Sequence, residues 1–268
     1  MITSQANERI KGIRRLKERK FRQQTGLFLV EGVRIVIEAI RQAARVETLI
    51  FAPELLTSEI GIRTVNEQIS KGTPILEVSA AVFQSISDKE GPQGLAAVVK
   101  QQWKPLDEIF IEKGLWVALD SVADPGNLGT ILRTTEAAGG VGVILLDQST
   151  DPYDPAAVRA SMGAVFDLTL VRTTFEDFVK FKKRVGFFMA GTDGEAETDY
   201  RDVDYPQPMV LLMGSEREGL LPKHYQACDI VVRIPMMGRS DSLNLAVATG
   251  IALYGILDQW YPSTRRKH

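Results

Sequence analysis

Along the 268 residues, apolar positions fall into short runs separated by stretches with a three-to-four-residue period. In the first hundred, the run at Phe28 to Val30 leads into a helical pattern through Ile35, Ala39 and Ile40. "VETLIFA", a helical stretch around 63 to 70, "TPILEVS", a short helix near 81 to 87 and "GLAAVVK" continue the alternation. Strand-like runs alternating with helices predict an α/β unit, complete by about residue 100. The next segment, "QQWKPLDEIFIEKG", breaks the pattern with Pro105 and mixed charge. It predicts a linker over 104–113 between a domain over 1–103 and one over 114–268.

The second domain restarts the pattern with "LWVALDS", "GVILL", "LTLVR", "VGFFMAGT", "MVLLMG" and "IVVRIP", interleaved with helices from Asn127, from Pro155 and around 175 to 184. Continuous apolar runs, rather than alternating ones, predict a mostly parallel sheet covered by helices on both faces. The last helix is strongly apolar: Leu243, Val247, Ile251 and Tyr254 make a stripe that must pack against something large. Ser240 or Ser242 suffices to cap its first turn, which leaves Asn244 without a structural duty.

In parallel sheets, ligands collect in the loops that follow the strands' carboxyl ends. Three such loops stand out. In the first, Pro125 and Gly126 turn the chain, Asn127 is placed as the helix cap, and Arg133 falls opposite the buried stripe of Leu128, Ile131, Leu132, Thr135 and Ala138. An exposed surface arginine is the plain alternative for Arg133. The second, "GSEREGL", sets Gly214 and Gly219 around Glu216 and gives backbone close access to a ligand, or simply makes a tight turn. The third runs from Ile234 through two methionines and a polar cluster into the last helix; a methionine pair also serves as core filler.

Other chemistries lack their residues. "GGVGVI" lies between helix and strand, the reverse of a dinucleotide fingerprint, and neither a GxxxxGK[ST] nor a GxSxG sequence occurs. The histidines are His224 and His268 alone, a poor basis for a Ser–His hydrolase, and no HExxH or Cys/His pair suggests a metal. Asp147, Asp151 and Asp154 lack the spacing of a calcium loop. With one cysteine, Cys228, and no run of 18 apolar residues, the expectation is a reducing, cytoplasmic setting.

The net charge of −2 is unevenly placed. Residues 1–24 hold eight Lys/Arg against two Glu, or +6, which leaves −8 elsewhere. Arg9, Arg14, Arg15 and Arg19, with the tail residues Arg265, Arg266 and Lys267, are the candidate phosphate contacts; a solvated helix face is the alternative.

Taken in order, "DPGNLGTILRTTEAAG", "GSEREGL" and "IPMMGRSDSLNLAVATGIALY" resemble the three motifs of the SpoU (TrmH) family of RNA ribose 2′-O-methyltransferases of the SPOUT superfamily. "VRASMGAVFDLTL" resembles the family's segment between the first two motifs. The likeness covers 114–258 well; "GLFLVEGVRIVIEAI" gives a weaker likeness of the first hundred residues to the family's small substrate-binding domain. The resemblance implies a deep trefoil knot, S-adenosylmethionine as methyl donor, a homodimer formed through the knotted domain, no metal, and RNA as substrate. Ribosomal RNA is the expected target, with tRNA, or an inactive RNA-binding assembly factor, as alternatives. By position it implies cofactor contacts at Gly214, Ile234 and Leu243 with Thr192 and Met236 as neighbours, and catalytic-site residues Asn127, Arg133, Glu216, Ser242 and Asn244. An arginine titrates above ~12, so Arg133 is expected to stabilise charge rather than act as a literal base.

Overall fold

The computed structural model describes residues 1–112 and 114–262. The tail cations Arg265, Arg266 and Lys267 lie outside the described residues. In chain order the first half gives α1 (Glu8–Arg15), α2 (Arg19–Thr25), β1 (Leu27–Glu31), α3 (Val33–Arg41), β2 (Val46–Phe51), α4 (Glu59–Ser70), β3 (Ile75–Glu77), α5 (Ala80–Ile86) and β4 (Leu95–Lys100). The second half gives β5 (Leu115–Asp120), α6 (Pro125–Ala137), β6 (Gly142–Leu146), α7 (Pro155–Ser161), β7 (Thr169–Thr173), α8 (Phe175–Val185), β8 (Phe188–Thr192) and β9 (Thr198–Asp199). It ends with β10 (Met209–Met213), α9 (Pro222–Ala227), β11 (Ile230–Arg233) and α10 (Leu245–Trp260).

Two compact units result: residues 1–102 with 153–166, and residues 103–152 with 167 onward. In unit 1 the sheet order is β1-β4-β2-β3, with β4 antiparallel to both of its neighbours. α1 buries Ile10 and Ile13 against this unit's core, which also takes in Phe83, Ile86 and Val98. The segment around α7, from the second half of the sequence, belongs to this unit: Tyr153 packs on Phe28 with ring centroids 4.6 Å apart and exchanges hydrogen bonds with the backbone of Gln102.

Unit 2 is a seven-stranded sheet in the order β7-β6-β5-β10-β8-β11-β9, and all its ladders run parallel. Strands β5, β6 and β10 are buried at every position, as their continuous apolar runs require. The expected linker is instead part of this unit: Ile109 and Ile111 are buried in its core while Phe110 between them faces solvent, an alternation that the surrounding charges conceal.

Both helix starts at the site differ from expectation. α6 is capped by Asp124, whose carboxylate accepts from the Asn127 amide at 2.6 Å, with Pro125 in the first turn where its missing N–H costs nothing. α10 is capped by Asn244 itself, whose Oδ1 accepts from the amides of Ala246 (2.9 Å) and Val247 (3.3 Å). Its buried face is Leu245, Ala246, Thr249, Ala252, Leu253 and Ile256, while Val247 and Tyr254, expected inside, are about half exposed (51% and 49%).

Candidate active site

The three loops that follow β5, β10 and β11 meet at the carboxyl end of the unit 2 sheet. Around a cavity of about 620 Å³ stand Asn127, Thr192, Gly214, Glu216, Ile234, Met236, Ser242, Leu243 and Asn244, nine of the ten positions singled out for the cofactor and the chemistry. The tenth, Arg133, is exposed on α6 outside the cavity wall, and among the described residues no acid pairs with it.

A chain of hydrogen bonds ties the loops together. Asn244 spends its Oδ1 on the helix amides, so its Nδ2 is the end that reaches Asn127 Oδ1, at 3.0 Å. That contact turns Asn127 Nδ2 toward Glu216 Oε1, at 3.4 Å. The Glu216 carboxylate accepts in turn from the backbone amides of Ala123 (3.1 Å) and Asp124 (3.4 Å). The orientation of each amide thus follows from the one before it, and the relay ends on a carboxylate pinned to the first loop.

The far wall is backbone. A Cβ at Gly214 would lie 2.1 Å from the Gly219 carbonyl oxygen, and Gly219 turns with φ +62°, so no side chain fits where the second loop doubles back. Ser215 Oγ accepts from the Glu218 amide at 3.1 Å and keeps that turn closed. Apolar contact comes from Met213, Ile234, Leu243 and Leu245. Four carboxylates, Asp193, Glu216, Glu218 and Asp241, face one arginine, Arg217, around the rim. This balance favours a ligand that carries positive charge.

Asp193 did not emerge from the sequence, although it directly follows a strand expected to end at a ligand loop. Its Oδ2 accepts from the Leu220 amide at 3.3 Å and its Oδ1 from that of Glu195 at 2.9 Å, joining β8 to the second loop. Also unforeseen is the pair beneath the loops. His224 on α9 is fully buried; its Nδ1 accepts from the Leu221 amide at 2.8 Å and so carries no proton, while Nε2 lies 2.9 Å from Asp120 Oδ2 at the end of β5. Burial works against ionisation of Asp120, but hydrogen bonding to His224 and the charge of Lys223 outweigh it, and the carboxyl titrates below its usual range. Residues 104 positions apart thereby hold the first and second loops in register.

Unit 1 carries the basic segment. Arg9 and Arg15 are exposed on α1, Arg15 over the Phe21 ring at 4.1 Å; Arg14 donates to the Gln5 carbonyl; Arg19 is exposed at the start of α2. Arg22 is structural: 1% exposed, it pairs with Asp154 at 3.2 Å and donates to the carbonyls of Leu16 and Lys17. Among the described residues, no group of three or more His, Cys, Asp or Glu is placed to hold a metal.

Residues 114–254, which hold all three loops, match the model of the SpoU rRNA methylase family. The chain belongs to that family. Residues 7–97 match the MRM3-like substrate-binding domain. A curated relative from Streptomyces viridochromogenes, a 23S rRNA (uridine(2479)-2'-O)-methyltransferase, is 35% identical over 91% of this chain and 87% of its own. The Bacillus subtilis (strain 168) 23S rRNA (guanosine(2553)-2'-O)-methyltransferase RlmP is 28% identical over 94% and 97%. Among solved structures, the AdoMet-bound rRNA methyltransferase from Sinorhizobium meliloti superposes with a TM-score of 0.87 at 38% identity, covering 95% of this chain and 96% of that one. As a SpoU methylase the chain takes S-adenosylmethionine as its cofactor, and its cavity fits that molecule. Its volume is in the range of small-molecule sites, the backbone cradle at Gly214 admits close approach, and the acidic rim suits a sulfonium and an ammonium.

Proposed function

We propose that this protein methylates a ribose 2′-hydroxyl in ribosomal RNA. The observation that carries this reading is the single cavity in which the Asn244–Asn127–Glu216 relay faces the Gly214 backbone cradle. S-adenosylmethionine, when bound, supplies a methyl group already activated on a sulfonium sulfur. The remaining task falls to the chain: align the ribose oxygen with that methyl, exclude competing geometries and ease the departure of one proton.

Gly214, Ile234 and Leu243, with Thr192 and Met236 beside them, hold the cofactor. The Nδ2 groups of Asn127 and Asn244 each keep one hydrogen beyond the relay and orient the ribose, and Ser242, exposed at the rim, contacts the sugar. Glu216 is fixed by two backbone amides and anchors the relay. Arg133, exposed and paired with no acid among the described residues, grips the phosphate next to the reacting nucleotide and stabilises the negative charge growing on its oxygen. A guanidinium stays protonated, so this electrostatic role is favoured over proton abstraction.

The C-terminal region forms a trefoil knot, a reading supported by a strand order in which β10 is inserted between β5 and β8. The enzyme is a homodimer: α10 leaves the apolar Val247 and Tyr254 about half exposed, a stripe that a second copy would cover. We place it in the cytoplasm with its RNA; among the described residues, no helix is long and apolar enough to cross a membrane. The intact relay argues against an inactive assembly factor. The test is transfer of labelled methyl from S-adenosylmethionine to ribosomal RNA from cells lacking this protein. The expected product is a 2′-O-methyl ribose, seen as one alkali-resistant linkage; label on a base, or none on ribosomal RNA, would overturn the reading.

A further inference from the structure

Beside the end of β1 in unit 1, a cleft of about 150 Å³ draws three cations together: Arg34 on α3, Lys89 in the turn after α5 and Arg159 on α7, with Gly32, Gln93 and Met162 completing the wall. Among the described residues, neither the Arg34 nor the Arg159 side chain makes a hydrogen bond or an ion pair, and the Lys89 ammonium donates to the Glu31 backbone carbonyl, at 3.3 Å. The carboxylates nearby are engaged elsewhere. Glu31, which also borders the cleft, accepts from the Ser87 hydroxyl and the Asp88 amide; Asp88 pairs with Lys17 at 2.6 Å; Glu38 accepts from Gln42 at 3.1 Å.

Three cations converge here against one bordering carboxylate, Glu31, whose oxygens already accept from Ser87 and Asp88, so a net positive charge remains that a bound anion relieves. The geometry is also held open for them. A Cβ at Gly32, where φ is +112°, would lie 2.9 Å from the Lys89 nitrogen, so glycine is what lets the lysine rest against the strand end. The amides of Gly32 and Val33 are satisfied by Leu95 and Gln93. Those of Arg34 and Ile35, in a first turn with no side-chain cap, are left as two further donors at the same edge.

We propose that this cleft is a phosphate site at which unit 1 grips the backbone of the RNA substrate. The reading rests on RNA being that substrate. It assigns a role to Arg159, which lies in the "VRASMGA" stretch and which does not line the three-loop cavity, and it adds a principal phosphate contact that is not on the basic helix α1. A phosphate fits the cleft in size, and guanidinium forks pair with its oxygens in bidentate fashion.

The experiment compares the full-length protein with Arg34→Ala/Arg159→Ala, with Lys89→Ala, and with Arg63→Ala, a loss of one exposed charge on α4 outside the cleft. The probe is in vitro transcribed 23S ribosomal RNA, titrated from about 50 to 200 mM salt. The double variant is expected to bind at least about tenfold more weakly, with the slope of log K against log salt shallower by roughly 1.4 to 1.8, the loss of two phosphate contacts. Lys89→Ala is expected to fall between it and the wild type, and Arg63→Ala to stay within about twofold of the wild type. Affinity for S-adenosylmethionine and thermal stability are expected to be unchanged. A double variant that binds RNA as Arg63→Ala does would overturn the proposal.

A second arm follows the Gly32 and Arg34 amide resonances during titration with inorganic phosphate. Shifts in the wild type that vanish in the double variant support an anion site. If those shifts appear while RNA affinity ignores the double substitution, the cleft takes free phosphate and the RNA assignment falls. If the wild type neither binds nor methylates RNA, the functional reading fails, and the phosphate titration still decides for or against the cleft.

Discussion

Asn244 performs two jobs with the two ends of one amide, and they can be separated. Its Oδ1 caps α10 through the amides of Ala246 and Val247, and its Nδ2 positions Asn127 at 3.0 Å. Asn244→Ala removes both. A lost N-cap costs about 1 kcal/mol, and the exposed side-chain hydrogen bond adds about 0.5 kcal/mol. For a unit of this size, about 1.5 kcal/mol lowers the melting temperature by roughly 3–6 °C. Asn244→Ser keeps a capping oxygen but loses the amide Nδ2 that reaches Asn127, a distance its shorter hydroxyl does not span while capping, so its melting temperature is expected within about 1–2 °C of the wild type. Both variants release Asn127, and kcat/KM for methyl transfer is expected to fall roughly 10- to 100-fold in each, equivalent to about 1.4–2.7 kcal/mol of transition-state stabilisation. The assays are thermal unfolding and steady-state transfer of labelled methyl to ribosomal RNA. A serine variant that turns over like the wild type would refute the positioning role, and an alanine variant as stable as the wild type would refute the cap.

Other consequences follow from the same geometry. Gly214→Ala places a methyl 2.1 Å from the Gly219 carbonyl and is expected to weaken S-adenosylmethionine binding at least about tenfold by calorimetry, since backbone rather than a flexible side chain must move. Arg133→Ala is expected to fold normally, because the side chain is exposed and pairs with no acid among the described residues, yet to lose about 100-fold or more in kcat, with Arg133→Lys recovering only part. Asp120 has its folded-state pKa depressed below 3.8, so the stability it contributes is present above about pH 4 and is lost as pH falls through the lower folded value. Asp120→Asn is accordingly expected to destabilise at pH 7 and to flatten the acid limb of the stability profile. Tyr254→Glu puts a charge on the exposed stripe of α10 and is expected to yield a monomer by sedimentation; an unchanged dimer would place the interface elsewhere.

The sheet of unit 2 was legible because parallel strands buried on both faces have to be apolar throughout: "LWVALD", "GVILL" and "MVLLM" are buried at every position. The loops that wall the candidate cavity were legible because they follow those strands. What escaped depended on choices between near-equivalent residues or on distant contacts. Asp124 and Asn127 are both good caps, and Pro125 in the first turn decides for Asp124. α10 is apolar on more than one side, so the stripe Leu243–Val247–Ile251–Tyr254 has the correct period but lies on the more exposed face; periodicity cannot choose between two apolar faces. Ile109 and Ile111 were hidden because isolated apolar residues among charges carry no helical period. Nothing in the linear order joins Asp120 to His224, or Arg34 to Arg159; folding alone brings those pairs together.

The most direct measurement is a crystal structure with S-adenosylhomocysteine, the cofactor after methyl loss. The expected result is a bent nucleoside against the Gly214–Gly219 backbone, in contact with Ile234 and Leu243, its sulfur open toward Asn127 and Asn244. Density for the nucleoside at another surface, with the three-loop cavity filled only by solvent, would contradict the assignment of this cavity to methyl transfer.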